Sequence, residues 1–174
     1  MLISEKVVSA INLQIGNEFG ASHQYVAIAA HFDVEGLPEL SSHFYRQAEE
    51  EREHAMRFVK YIINAGGRPA IPLIPAPTPK FQFAEEAVKL SLEQEIKVTQ
   101  QINGLYDLAQ KEGDHITLNF LQWFLKEQLE EVSSMDTLLK IVQRAGEAGL
   151  LHVEQYLARK KEGGATKMDL GAES

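Results

Sequence analysis

The sequence predicts an all-α protein: a four-helix bundle with one long crossover, between the second and third helices, and a short C-terminal fifth helix. Three observations predict it. Apolar residues recur at alternating steps of three and four through four long segments. Glycine and proline are sparse, and their clusters divide the chain at the ends of those segments. Five of the six prolines fall between Pro69 and Pro79, and strand signals are essentially absent.

The first helix is expected near 4–35, with a seam of Ile11, Ile15, Glu18, Ser22, Tyr25, Ala29 and Phe32. Glu35-Gly36-Leu37 stops it, and Pro38 restarts the chain as a helix near 38–65. That second seam is Leu40, Phe44, Gln47, Glu51, His54 and Phe58. The third, near 82–112, carries Ala84, Val88, Ser91, Glu95, Val98, Ile102, Leu105 and Ala109. After Glu112-Gly113-Asp114 the fourth runs near 114–145, through Thr117, Leu121, Phe124, Gln128, Glu131, Met135, Leu138 and Val142. Gly146 to Gly149 breaks it before a short fifth helix near 150–161. Residues 1–161 read as one domain, and 162–174 as a tail expected to be mobile. Four helices with one such face each bury it by packing as a bundle.

Residues 66–81 set the topology. A helix of about 30 residues is about 45 Å long at 1.5 Å per residue. The proline-rich strap in polyproline II form reaches about 50 Å at 3.1 Å per residue. It therefore spans the bundle and returns the chain to the end where helix two began. Helices two and three then lie parallel.

The seams turn polar near their middles, at matching heights. Glu18 to Gly36 is 18 residues and Gly36 to His54 another 18; Glu95 to Gly113 and Gly113 to Glu131 repeat that spacing. Folding at those turns brings Glu18, Glu51, His54, Glu95, Gln128 and Glu131 to one level. The halves match again in that Glu18–Glu51 and Glu95–Gln128 are each 33 apart, followed by Glu-x-x-His in one and Gln-x-x-Glu in the other. No Lys or Arg stands in any seam position. Four inward carboxylates must be neutralised by protons, water or cations, because desolvation costs several kcal/mol each and repulsion adds to it. Two divalent ions supply the matching charge. Carboxylates with one imidazole suit iron or manganese better than zinc.

Composition narrows the function further. The 174 residues hold 25 acidic and 17 basic side chains, a formal charge of −8, which disfavours nucleic acid as a partner and suits cation collection. The absence of cysteine removes thiolate metal sites, Fe–S clusters, disulfides and thiol nucleophiles. The start, Met-Leu-Ile-Ser-Glu-Lys, has no secretory pattern, and no apolar run approaches a membrane span, so a soluble cytoplasmic protein is expected. Singly, a Glu-x-x-His on a helix is usually a solvated face; four helices in register change that reading. Tyr25, two turns from Glu18, is read as a site partner. Glu50 and Glu127 adjoin Glu51 and Gln128, so a third, weaker cation position is expected beside the pair, with Glu130 another acid one step off the seam. His23, His31, His43, His115 and His152 are read as surface or packing residues, and Trp123, Phe124 and Met135 as core or helix-packing residues.

With these residues in place the chain resembles a bacterial-type non-haem ferritin, from Met1 to about Lys161. The single long crossover and the paired glutamate motifs carry the likeness. The resemblance implies iron storage with ferroxidase activity. A diiron centre would use Glu18, Glu51, His54, Glu95, Gln128 and Glu131, with Glu51 bridging and Tyr25 beside it. It also implies a third iron position on Glu50, Glu127 and Glu130 with Glu131, O2 or H2O2 as oxidant, and a homo-oligomeric cage of 24 subunits. A bacterioferritin would carry a second Glu-x-x-His, where Gln128-Leu129-Glu130-Glu131 stands, and a haem-ligating methionine where Arg52 stands, so haem is not expected. Animal ferritins place acidic pore residues early in helix four, where this chain has Ile116-Thr117-Leu118-Asn119-Phe120-Leu121. The alternative is a diiron peroxidase or oxygenase that stores no iron.

Overall fold

The computed structural model describes the backbone of residues 1–169 and the side chains of residues 1–161. Its helices are α1 (Glu5–Val34), α2 (Pro38–Asn64), α3 (Ala84–Lys111), α4 (His115–Ala145) and α5 (Leu150–Asp169), with a 3₁₀ turn at Glu147–Gly149 before α5. No strand occurs among the described residues. The helix starts follow local chemistry: the Ser4 hydroxyl accepts from Val7 N–H at 3.3 Å, and Asp114 accepts from Thr117 N–H at 2.9 Å. Pro38 stands at the first turn of α2. The tight turns α1–α2 and α3–α4 place Gly36 and Gly113 at φ +74° and +67°, a region side chains with a Cβ avoid. The helix α5 extends past the expected 161, to Asp169. The mobile tail expected over 162–174 falls on residues whose side chains, and from 170 whose backbone, lie outside those described.

Every expected seam residue is buried except Gln47, which is half-buried. The apolar ones form two slabs. One contains Tyr25, Phe32, Phe44, Val88, Met135 and Val142; the other contains Ile11, Ile15, Phe58, Ile102, Leu121 and Phe124. Each of α1 to α4 crosses from one slab to the other, and each crossing point is polar: Glu18 and Ser22, Glu51 and His54, Ser91 and Glu95, Gln128 and Glu131. Helices α2 and α3 cross in the same sense, so they are parallel as the strap requires.

The strap keeps pace with α1. Ala70 N–H donates to Asn12 Oδ1 at 2.9 Å, and Gln24 and Thr78 exchange two hydrogen bonds at 2.8 and 2.9 Å. His31 meets Phe81 edge-on with ring centres 5.5 Å apart. Four helical residues rise about 6 Å, as do two strap residues, which matches the steps Asn12–Ala70 and Gly16–Pro72. At the second step the strap touches the helix backbone: a Cβ on Gly16 would lie 2.4 Å from Pro72 Cγ. Two carboxylates from beyond α4 tie down the bundle's other end. Glu154 accepts from Glu39 and Leu40 N–H at 2.8 Å each, and Glu147 accepts from Ala84 N–H at 2.8 Å, each an anion on a helix N-terminus.

Glycine to alanine in mid-helix ordinarily stabilises by about 1 kcal/mol. Gly104→Ala in α3, where a Cβ meets nothing within 4 Å, is expected to follow that rule. Gly16→Ala is expected to reverse it and destabilise by about 1–3 kcal/mol, the usual cost of overpacking. Chemical denaturation of the two variants checks the opposite signs.

Candidate metal centre

The polar layer between the slabs holds six of the seven residues singled out in the seams, and the seventh, Tyr25, reaches it from the first slab through its hydroxyl. Glu18, Tyr25 and Glu95 are 0% exposed, Glu51 1%, His54 and Gln128 2% and Glu131 6%. Helical spacing explains their convergence: Glu51 with His54, and Gln128 with Glu131, are three apart and share a face. Donor atoms of Glu18, Glu51 and His54 all lie within 4.8 Å of one another, and so do those of Glu51, Glu95 and Glu131. Glu51 belongs to both groups.

The hydrogen bonds sort the carboxylate oxygens by availability. Both oxygens of Glu51, one oxygen of Glu18 and Nδ1 of His54 are buried without a hydrogen-bond partner. His54 Nδ1 stands 3.4 Å from Glu51 Oε2, with no hydrogen bond formed between them. Buried polar atoms are nearly always paired, so several orphans converging on one space mark a candidate cation site. Glu18 Oε1 accepts from Gln14 Nε2 at 2.8 Å. Glu95 accepts from the Tyr25 hydroxyl at Oε1 and from Gln128 Nε2 at Oε2, the latter at 3.2 Å. Gln128 Nε2 also faces Glu95 O and Thr99 Oγ1, each at 3.2 Å, so its carbonyl oxygen is the atom it can offer a cation.

Charge in this layer is uncompensated. Two carboxylates 4–5 Å apart repel by about 3–4 kcal/mol at an effective dielectric of about 20, and folds are stable by only about 5–15 kcal/mol. The protonation equilibria respond accordingly. Burial, then the charge of Glu51, holds the Glu18 carboxyl well above the ordinary range. Burial, then Glu95, does the same to Glu51. Burial raises Glu95 against the opposing bonds from Tyr25 and Gln128. Burial, with the charges of Glu50, Glu95 and Glu127, pushes Glu131 up to about 9. The Tyr25 phenol is raised by burial and the adjacent Glu95, so it serves Glu95 as a hydrogen-bond donor. Without cations the layer holds protons; dications can replace them.

A third group adjoins this layer. Donor atoms of Glu50, His54, Glu127 and Glu131 lie within 4.8 Å of one another, and Gln47 Nε2 steadies Glu50 Oε2 at 2.8 Å. Glu130, expected there, is not brought in. One residue from Glu131 is a rotation of about 100° around the helix, and Glu130 points outward beside Leu129 and Ser133. His54 takes its place. Of the remaining histidines, His23, His115 and His152 are exposed. His31 and His43 pack on Phe32 and Phe44, and burial holds His43 down to about 4.

Three contacts escaped the sequence reading. Gln14 sits on the face of Glu18 one turn away, a spacing that could have identified it. Trp123 is half-buried and packs against the core beside Phe124; beyond that packing role it meets His54 edge-on at 5.4 Å, and Arg57 lies 3.8 Å from its ring centre. Thr99 stands one turn beyond Glu95. No helix among the described residues is long and apolar enough to cross a membrane.

Comparison with known proteins agrees with this geometry. Residues 8–145 match the family model described as Ferritin-like domain. The chain is 46% identical over 158 residues to Ferritin BfrB of Mycolicibacterium smegmatis, covering 91% of this chain and 87% of the relative. It is 36% identical over 146 residues to a bacterial non-heme ferritin of Staphylococcus epidermidis, covering 84% and 88%. An open pore ferritin from the archaeon Archaeoglobus fulgidus superposes with a TM-score of 0.86 at 34% identity, over 89% of this chain and 96% of that one. A buried carboxylate layer in a crossover bundle and near-full-length likeness lead to one statement: the chain belongs to the ferritin family.

Proposed function

We propose that the protein is an iron-storage ferritin that oxidises Fe²⁺ at an intra-subunit diiron centre and deposits the ferric product as mineral inside a homo-oligomeric cage. One observation carries the reading: Glu51, with both oxygens unpartnered, is shared by two buried donor groups, as a bridge between two ions requires. Glu18 and His54 complete the donors of one ion; Glu95, Gln128 and Glu131 complete those of the other. Iron here is substrate. Two ferrous ions release two electrons; O2 takes both with two protons and leaves as H2O2, or H2O2 takes both with two protons and leaves as two waters. The chain's part is to fix the two ions side by side and balance their charge. The hydrogen bond from Tyr25 holds Glu95 in place. Gln128, a neutral donor, holds its ion less strongly than a carboxylate would, which favours release of product. The group Glu50, His54, Glu127 and Glu131, without Glu130, offers a third iron position of lower burial.

Family membership supports the cage, with 24 subunits as the expected number. The non-heme name of the staphylococcal relative supports a haem-free protein, as does Arg52 after Glu51. The acidic balance and the absence of an apolar helix among the described residues support a cytoplasmic protein that engages neither nucleic acid nor membrane. Storage, rather than a peroxidase or oxygenase without a cage, is favoured by the ferritins that match nearly end to end.

Anaerobic loading with two Fe²⁺ per chain followed by oxygen is expected to give rapid ferric absorbance from a species far above 19.5 kDa. The Glu51→Ala, His54→Ala double variant should oxidise iron no faster than buffer. Equal rates contradict the site, and a monomer contradicts storage. Gln128→Glu is expected to retain iron at the centre longer and slow later turnovers; unchanged turnover counts against the role given to Gln128.

Proton linkage supplies a further test. Carboxyls raised above their ordinary 4.5, Glu131 to about 9, stabilise the metal-free fold fully below 4.5 and lose that contribution as pH rises through the raised values. In chelator, melting temperature is therefore expected to fall between about pH 5.5 and 8.5. Adding Co²⁺ should raise it more at the upper pH, with proton release visible in calorimetry. A cation effect independent of pH contradicts the assignment.

A further inference from the structure

The Glu18 side of the centre has a feature the proposed reaction does not by itself require. Gln14 is 2% exposed and donates from Nε2 to Glu18 Oε1 at 2.8 Å. Its own Oε1 accepts from Asn17 Nδ2 at 3.1 Å. The three residues lie on one face of α1 at helical spacing. With a cation in place of its proton, Glu18 is an ionised carboxylate that only accepts, so the Gln14 amide turns its NH₂ inward and its oxygen outward to Asn17, the order the hydrogen bonds already show. Asn17 is half-buried and borders a groove of about 400 Å³ between α1, the strap and α3. The consequence falls on Glu18. One oxygen is engaged by Gln14, and the other is buried without a partner. Glu51, by contrast, keeps two free oxygens, and Glu95 has both engaged.

We propose that Gln14, its amide oriented by Asn17, is a positioning residue that confines Glu18 to one-oxygen ligation of the cation it shares with Glu51 and His54. The inference rests on the metal-binding reading above. Losing the donor has two effects: Glu18 gains freedom to rotate away, and when it does bind, it can chelate through both oxygens. Outer partners of metal ligands typically alter affinity by about 10- to 100-fold.

Titration of the assembled protein with Co²⁺, followed by its visible absorption, tests this. The unaltered chain is expected to take up two Co²⁺. In Gln14→Met, close in shape but without the donor, affinity at the Glu18 side should fall about 10- to 100-fold, and its bands should weaken as the coordination number rises. Asn17→Asp, at the groove rim, accepts where Asn17 donates. It should turn the Gln14 amide round, set that oxygen against Glu18 and weaken the same Co²⁺ ion. Melting in chelator shows that each variant is folded. Unchanged affinity and band intensity in both variants overturn the positioning role while leaving the metal site standing. Lower affinity with unchanged bands in Gln14→Met overturns the one-oxygen assignment. Failure of the unaltered chain to bind Co²⁺ overturns the underlying reading instead.

Discussion

Four carboxylates meet at mid-height in this bundle, between two apolar slabs and, among the described residues, with no lysine or arginine in the layer. Their mutual repulsion and lost hydration constrain everything around them. A core of this size would be more stable with leucine at those positions, since an unpaired buried charge is among the costliest features a fold can carry. On the proposed reading the layer is half of an ionic structure whose other half is two dications. Burial and the charges of neighbouring carboxylates push Glu131 up to about 9 and raise Glu18 and Glu51, and burial raises Glu95, so that protons occupy the layer in the absence of such ions.

The rest of the fold serves the register of that layer. One residue of slip in any helix rotates its ligand by about 100°, as the outward turn of Glu130 beside the inward Glu131 illustrates. Short glycine turns fix α1 against α2 and α3 against α4. The strap then sets one hairpin against the other, riding on α1 at the close contact of Pro72 with Gly16. Glu147 and Glu154 complete the clamp by capping α3 and α2. Around the centre, uncharged donors hold the carboxylates: Gln14 on Glu18, Tyr25 and Gln128 on Glu95, Gln47 on Glu50. Such donors orient a carboxylate without cancelling the charge a cation needs.

Much of this was legible in the sequence, for a physical reason. Long helices obey one period, so a charged residue on an apolar seam is conspicuous, and equal spacings about Gly36 and Gly113 translate directly into equal heights. Proline content and length fixed the strap's span. What escaped depends on rotamers and on neighbours from other helices. Whether His54 or Glu130 completes the third group turns on side-chain direction, which spacing alone leaves undecided at adjacent positions. Trp123 reads as a core or helix-packing residue and packs as one, but the Arg57 side chain from α2 over its ring is a contact between helices that spacing does not show. The caps from Glu147 and Glu154 join residues more than 60 apart, which no local pattern announces. Gln14 was a missed inference rather than a hidden one, since its i, i+4 relation to Glu18 was plain.

The central claim is that two cations complete the layer, joined through Glu51. Anomalous diffraction at the iron edge, from crystals grown anaerobically with Fe²⁺, tests it most directly. Two peaks are predicted in each chain, one among Glu18, Glu51 and His54 and the other among Glu51, Glu95 and Glu131. Iron confined to the protein surface, with the layer's side chains turned away from one another, would contradict it.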